Sequence, residues 1–241
     1  SGDLGRRVTK LLLKEASGIE LTLVTRTPEK LADLAAEGIR VLRGDYQNPD
    51  SLDAAYSGAD TLFLISGLNL GRRVPEHRNA IAAARRSLIR HVVYTSVGGV
   101  QLHNPALSAK DHYQTELDLR ASGLEYTFLR NALYSEIVSN ILVAPAAAAG
   151  RLEMAAGSGY IAPVAKGDIA RSAAAVLRQP ERHAGAVYEI TGPDLLSFED
   201  ITRIGSEVYG APITYAPVTP EARLAYFDSV GIPRTYDPNM P

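Results

Sequence analysis

The chain has 241 residues, 46% of them hydrophobic and 22% charged, which is the composition of an ordinary globular protein of one large domain or one domain with a small annex. A formal charge of −2 gives no electrostatic footprint for DNA, RNA or an anionic membrane surface. The chain holds no cysteine, which excludes disulfides, thiolate metal sites and cysteine nucleophiles and makes a reducing cytoplasm the expected setting.

Taken in chain order, Ser1-Gly2-Asp3-Leu4-Gly5 leads into an amphipathic helix from Arg6 to Glu15. Ile19–Val24 reads as a strand, and Pro28–Ala36 as a helix with Thr27 as its N-cap. Ile39–Leu42 is the next strand, followed by Gly44-Asp45-Tyr46 and a short helix to Tyr56 capped by Asn48-Pro49-Asp50. The continuous apolar run Thr61–Ile65 suits a strand buried on both faces. Helix Val74–Ser87, strand His91–Tyr94, helix Ser108–Ser122 and strand Tyr126–Leu129 complete the regular alternation. Beyond residue 130 come a helix at Ala132–Leu142, a turn at Gly157-Ser158-Gly159, helix Lys166–Arg178 and strand Ala186–Ile190. A helix at Ser197–Tyr209, with a Ser-x-x-Asp start, is followed by a strand at Ile213–Ala216 and a helix at Pro220–Phe227. The apolar run from Ile141 to Ala149 is too short to span a bilayer and contains Pro145. The pairs Arg6-Arg7, Arg72-Arg73 and Arg85-Arg86 read as solvated helix faces or loops.

Strands alternating with helices predict an α/β fold, a Rossmann-type doubly wound parallel sheet. Residues 1–130 form its dinucleotide-binding part. Residues 131–241 supply the last sheet strand, interleaved with a small C-terminal substrate-side lobe, and their abrupt Asp-Pro-Asn-Met-Pro end leaves room for a lid or final helix.

Gly2 and Gly5 have the spacing of the last two glycines of a dinucleotide fingerprint, and the segment Gly2, Asp3, Leu4, Gly5 would present helix N-terminal amides to a pyrophosphate. Any turn entering a helix also has this look. The fingerprint belongs after a strand, so an apolar strand and one more glycine are expected ahead of Ser1; an intact mass equal to that of the sequence would contradict this. Arg26 ends the second strand of a fingerprint so placed, where an acid suits a ribose 2′-hydroxyl and an arginine suits a 2′-phosphate. NADP(H) is therefore the expected cofactor, the alternative being a plain surface arginine. Asp45 is placed to accept from an adenine amino group, and Ser66-Gly67 to lie against the cofactor; ordinary turn chemistry is the other reading of both.

The segments Ser-Gly-Asp-Leu-Gly-Arg-Arg-Val, Val-Thr-Arg-Thr-Pro-Glu-Lys, Arg-Gly-Asp-Tyr, Leu-Phe-Leu-Ile-Ser-Gly, Val-Tyr-Thr-Ser and Tyr-Thr-Phe-Leu-Arg-Asn-Ala-Leu-Tyr occur in this order. Together they resemble the NmrA-like atypical short-chain dehydrogenases, in the branch of triphenylmethane reductase and type 2 NADPH:quinone oxidoreductase. The resemblance implies NADPH as hydride donor and a quinone, dye or other flat conjugated acceptor. It also implies a nicotinamide side lined by Thr95, Ser96 and Val97 and by Asn131, Ala132, Leu133 and Tyr134. Tyr134 either meets the substrate or is an aromatic wedged between lobes.

No Tyr-x-x-x-Lys pair occurs, which argues against interconversion of simple alcohols and ketones. In many NmrA-like proteins the slot of His112 looks to be lysine. His112 is thus a candidate ribose ligand, or a proton donor with a pKa near neutrality, its alternative being a half-exposed helix residue paired with Glu116. His77, His91, His103 and His183 show no metal-ligand spacing. The rival function is a non-catalytic dinucleotide-sensing regulator, which would keep Gly2, Gly5 and the fold without a substrate cavity. A small-molecule acceptor is the expected partner, with neither nucleic acid nor membrane, and oligomeric state is left open, a homodimer included.

Overall fold

A computed structural model describes residues 2–15, 18–104 and 106–229. Ser1 of the glycine loop and residues 230–241, with the Asp-Pro-Asn-Met-Pro end, lie outside the described residues. The first half runs α1 (Asp3–Glu15), β1 (Thr22–Thr25), a 3₁₀ turn, α2 (Ala32–Ala36), β2 (Arg40–Arg43), α3 (Asp50–Tyr56), β3 (Thr61–Leu64), α4 (Arg73–Arg86), β4 (His91–Val97), α5 (Leu107–Arg120) and β5 (Glu125–Asn131). The second half runs α6 (Ser135–Ile137), a π-helical stretch (Val138–Val143), α7 (Ala144–Ala149), β6 (Arg151–Met154), β7 (Tyr160–Ile161), α8 (Lys166–Arg178), a 3₁₀ turn, β8 (Val187–Ile190), β9 (Leu196–Ser197), α9 (Phe198–Tyr209), β10 (Thr214–Pro217) and α10 (Pro220–Ser229).

All ladders of the central layer are parallel. One sheet has the order β3-β4-β5-β8 and the other pairs β1 with β2. No ladder joins β1 to β3 among the described residues. Because strand side chains alternate between faces, β4 sends Val92 and Tyr94 to one side and Val93 to the other, and β5 splits Phe128 from Leu129 in the same way. One face packs on α3, α4 and α5 through Leu52, Ile81 and Leu119. The opposite face packs on α1 and α8. In α1 the buried residues Leu4, Val8 and Leu12 recur every four positions, which puts a single apolar stripe on the sheet. Each fully buried side chain of this kind, Phe128 and Leu129 among them, contributes about 1.5–3 kcal/mol. Helices on both faces of a parallel layer make this the doubly wound α/β arrangement.

A second core lies in the C-terminal half, where Val138, Val143, Leu152, Phe198, Ile201 and Ile213 cluster. Here β6 pairs in parallel with β10, and β7 pairs antiparallel with β9. The helix expected from Ala132 begins only at Ser135, because Tyr134 forms a parallel bridge with Val164. The π-helical turn just before Pro145 follows from that residue's missing N–H and its clash with the preceding turn, which a wider turn absorbs.

Two helix starts differ from expectation. Thr27 makes no side-chain cap; its carbonyl accepts from Lys30 N at 3.1 Å and a 3₁₀ turn results. The helix at Asp50 likewise starts without a side-chain cap. The Ser197–Asp200 capping box is complete, with Ser197 Oγ accepting from Asp200 N and Asp200 Oδ2 accepting from Ser197 N, both at 3.1 Å. Two glycines hold close approaches. A Cβ on Gly44 would lie 2.4 Å from Val24 Cγ1, and one on Gly192 would lie 2.0 Å from the Pro163 carbonyl oxygen. Gly192 therefore lets the segment after β8 dock against the chain that leads into α8.

Candidate functional site

The carboxyl ends of the parallel strands are where ligands enter an open α/β sheet, and most of the residues singled out above lie there. At the start of α1, the first intrahelical bond runs from Arg6 N to Gly2 O at 3.1 Å. The amides of Asp3, Leu4 and Gly5 thus precede any intrahelical acceptor, and the positive end of the helix dipole accompanies them. Gly5 lies against β3's exit, since a Cβ there would touch Ile65 Cδ1 at 3.4 Å. The Leu4 side chain is buried in the core, leaving only its backbone to a ligand. Asp3 is bound by Arg7 Nε at 2.9 Å and Lys166 Nζ at 3.3 Å; the Arg7 bond above all holds its carboxyl below the usual range.

At the ends of β1 and β2, Arg26 is exposed and its carbonyl accepts from Arg43 Nη1 at 2.8 Å. Two arginines therefore share one sheet corner, with Glu29 at the rim 4.0 Å from Arg43. Sequence reading found Arg26 and missed Arg43. The signal was available, because Arg43 is the last residue of the neighbouring strand. Asp45 uses Oδ1 to accept from Gln47 N at 3.0 Å, so turn chemistry occupies one of its oxygens.

After β3, the Ser66 amide donates to Thr95 Oγ1 at 2.8 Å and the Gly67 amide donates to His77 Nε2 at 3.2 Å. This backbone is pinned by its own protein partners as ordinary loop chemistry would have it. After β4, Thr95 and Ser96 are both buried, and Ser96 Oγ donates to Glu116 Oε1 at 2.7 Å. After β5, Asn131 is 2% exposed, and neither its Nδ2 nor its Oδ1 makes a hydrogen bond of good geometry, the Tyr134 hydroxyl interacting with it only loosely. Such an amide costs about 1–3 kcal/mol of desolvation unless something completes it. Tyr134 is half-buried, with burial raising its hydroxyl pKa, and Lys166 Nζ lies 5.9 Å from its ring centroid. Lys166, unmarked in the sequence reading, thereby links Tyr134 to Asp3.

His112 departs most from expectation. It is buried, its Nδ1 lies 2.6 Å from the Tyr94 hydroxyl, and desolvation with the nearby Arg73 charge lowers its pKa to about 3. An imidazole held neutral in this way weighs against the acid role expected for it and leaves the role of ribose ligand. It does not pair with Glu116 either. That carboxylate is buried and taken by Arg130 Nη2 at 2.7 Å, and Arg130 also reaches Glu189 at 3.2 Å. Arg73 is a second correction. Read as solvated, it is 8% exposed and its Nε donates to the Gly67 carbonyl.

Two cavities are found among the described residues. One of about 230 Å³ opens next to Tyr134, lined by Ser135, Val138, Pro163, Leu196 and Ile201 of the second core. The other, about 550 Å³, lies between Val74, Leu102 and the outer face of α5. No described helix is long and apolar enough to cross a membrane.

Residues 1–180 match the family model described as NAD(P)H-binding. The chain is 35% identical over 237 residues to quinone oxidoreductase 2 of Escherichia coli, covering 97% of this chain and 80% of that protein. Among solved structures, an NADPH-dependent quinone oxidoreductase of Escherichia coli complexed with NADPH superposes with a TM-score of 0.88 at 34% identity, covering 96% of this chain and 81% of that one. The triphenylmethane reductase of a Citrobacter species, complexed with NADP(H), gives 0.84 at 31% identity, with 96% and 82% covered. Free amides at a helix start, paired arginines at the adjoining sheet corner and these full-length similarities agree: the chain belongs to the NAD(P)H-binding, NmrA-like family of oxidoreductases.

Proposed function

We propose that this protein is an NADPH-dependent reductase that passes a hydride to a quinone, a dye-like compound or another conjugated small molecule. The observation that carries this reading is the convergence, at one edge of the parallel layer, of the α1 amides, the Arg26–Arg43 corner and the buried, under-satisfied amide of Asn131. When bound, the nicotinamide of NADPH supplies the hydride. The chain's own residues do the rest by position. The amides of Gly2, Asp3, Leu4 and Gly5 receive the pyrophosphate, and Arg26 with Arg43 grips the 2′-phosphate, leaving Asp45 Oδ2 for the adenine amino group. Thr95, Ser96 and Asn131 line the nicotinamide end, where the amide of Asn131 offers the donor and acceptor that a carboxamide requires. His112 is a neutral ribose-side residue at most, and Tyr134 covers the acceptor.

The names of the relatives support a reductase, and the site's chemistry supports a delocalised acceptor. Neither Tyr94 nor His112 is a ready acid near neutral pH, since burial raises the Tyr94 hydroxyl pKa and lowers that of His112. A quinone or cationic dye needs no protonated oxygen at the moment of transfer, so orientation does most of the work. On this reading residues 131–241 close the acceptor side, and the protein works in the cytoplasm.

The test is a spectrophotometric screen of NADPH oxidation against quinones, triphenylmethane dyes and simple aldehydes. Turnover with the first two and none with aldehydes is expected. Turnover with aldehydes alone would overturn the acceptor class, and NADPH binding without any turnover would favour a sensor.

A further inference from the structure

The N-terminus of α4 holds a cation where a helix disfavours one, at the positive end of its dipole. This is Arg73, more than nine-tenths buried. Its Nε donates to the Gly67 carbonyl, which swings the guanidinium over the carboxyl end of β3, and its Nη1 is buried with no acceptor. Among the described residues no carboxylate pairs with it. The acids on the packed elements have other partners: Glu76 Oε1 accepts from Gln47 Nε2 at 2.7 Å and Asn69 Nδ2 at 2.9 Å while its Oε2 lies beside Gly67, Asp111 accepts from the Gly71 amide at 3.1 Å, and Glu116 is held by Arg130 and Ser96. The Gly67 carbonyl that it reaches lies just past the end of β3, so the guanidinium stands at the strand ends rather than out on the helix face; its charge is felt by His112, by Tyr134 and, together with the carboxylates of Asp111 and Glu116, by Tyr94. An unpaired buried charge is strongly destabilising, and a site that keeps one has a use for it.

We infer that Arg73 supplies the positive charge that selects acceptors which become anions on reduction. The inference rests on the reductase reading above. A neutral quinone that takes a hydride from NADPH becomes a hydroquinone monoanion, leaving NADP⁺; one proton from solvent then gives the hydroquinone. A fixed guanidinium in a dry site stabilises that developing negative charge and needs no proton of its own to do so. A cationic triphenylmethane dye becomes neutral on accepting the same hydride, so Arg73 opposes its binding and offers its transition state nothing. Arg73 is thus a specificity-determining residue for quinone over cationic dye.

The test compares wild type with Arg73→Gln and Arg73→Lys on a neutral naphthoquinone and on a cationic triphenylmethane dye. Arg73→Gln is expected to lower kcat/KM for the quinone about 100-fold or more, as loss of one anion-stabilising donor does, while dye reduction holds or rises and Arg73→Lys keeps part of the quinone rate. A variant that merely misfolds loses both acceptors. A second readout needs no turnover: 4-nitrophenol, whose ionised and neutral forms absorb differently, is expected to ionise more readily when bound to wild type than when bound to Arg73→Gln. Equal losses on quinone and dye with unchanged phenol ionisation would overturn the inference, as would weakened NADPH binding with quinone kcat intact. If wild type reduces neither acceptor, the reductase reading fails, and the phenol titration still decides whether Arg73 stabilises an anion.

Discussion

The parallel layer and the small C-terminal core are built on different principles. In the layer, the central strands β4 and β5 are buried on both faces and end in polar residues at one edge, so packing and site share the same elements. Val93 and Leu129 are fully buried a few residues from Ser96 and Asn131. In the C-terminal half, strands are two to four residues long and the helical stretch Ser135–Ala149 includes a π turn. Ile141, Leu195 and Val208 are left exposed there. On the proposed function, the layer holds the cofactor and the reacting charge. The smaller core shapes what can approach them, and its geometry depends on docking points such as Gly192 on Pro163 rather than on long ladders.

The largest expected effect sharpens this contrast. Phe128 is fully buried in the middle of the layer and stacked on Tyr126 at 4.5 Å between centroids. Phe128→Ala is expected to cost about 3–5 kcal/mol in urea unfolding. A loss under about 1 kcal/mol would mean that the layer is looser than these contacts require.

A smaller effect follows from pH. His77 is buried against Thr115 and Gly67, and desolvation lowers its pKa to about 4, as it lowers that of His112 to about 3. Both folded values lie below the unfolded 6.5, so the unfolded chain binds more protons between them. Stability is therefore full above pH 6.5 and falls as pH drops from there towards 4. Each histidine contributes a slope of at most about 1.4 kcal/mol per pH unit. Thermal melts of wild type and of the His77→Asn, His112→Asn double variant across this window should diverge, the variant showing the flatter curve. Parallel curves would contradict the burial of these two rings.

The same contrast decides what the sequence could disclose. The strands of the layer announce themselves as apolar runs, and the strand-end residues Arg26 and Ser66 follow once those runs are aligned as βαβ units, whereas Thr95 and Asn131 are implied by the family resemblance. The β6 and β7 strands were illegible, because the alternation of Arg151–Met154 lasts only four residues and Tyr160–Ile161 is a two-residue pairing that only the partner at Leu196–Ser197 defines. Arg73 was misread for a different reason. A cation beside Arg72 at a helix start resembles a solvated pair, and only the fold shows the Gly67 carbonyl that draws one of the two inward. His112 was placed on the correct element, but the half-exposed pairing with Glu116 offered as its alternative does not form, because the ring is buried against the Tyr94 hydroxyl.

The corner formed by Arg26 and Arg43 is the most direct point of attack, and titration calorimetry with NADPH and NADH on wild type and Arg26→Ala addresses it. Wild type should bind NADPH at least about tenfold more tightly than NADH, the worth of one charge-assisted hydrogen bond, and Arg26→Ala should erase most of that difference while leaving NADH affinity nearly unchanged. Equal affinities in wild type, or a preference for NADPH that survives the substitution, would contradict the placement of the 2′-phosphate at this corner.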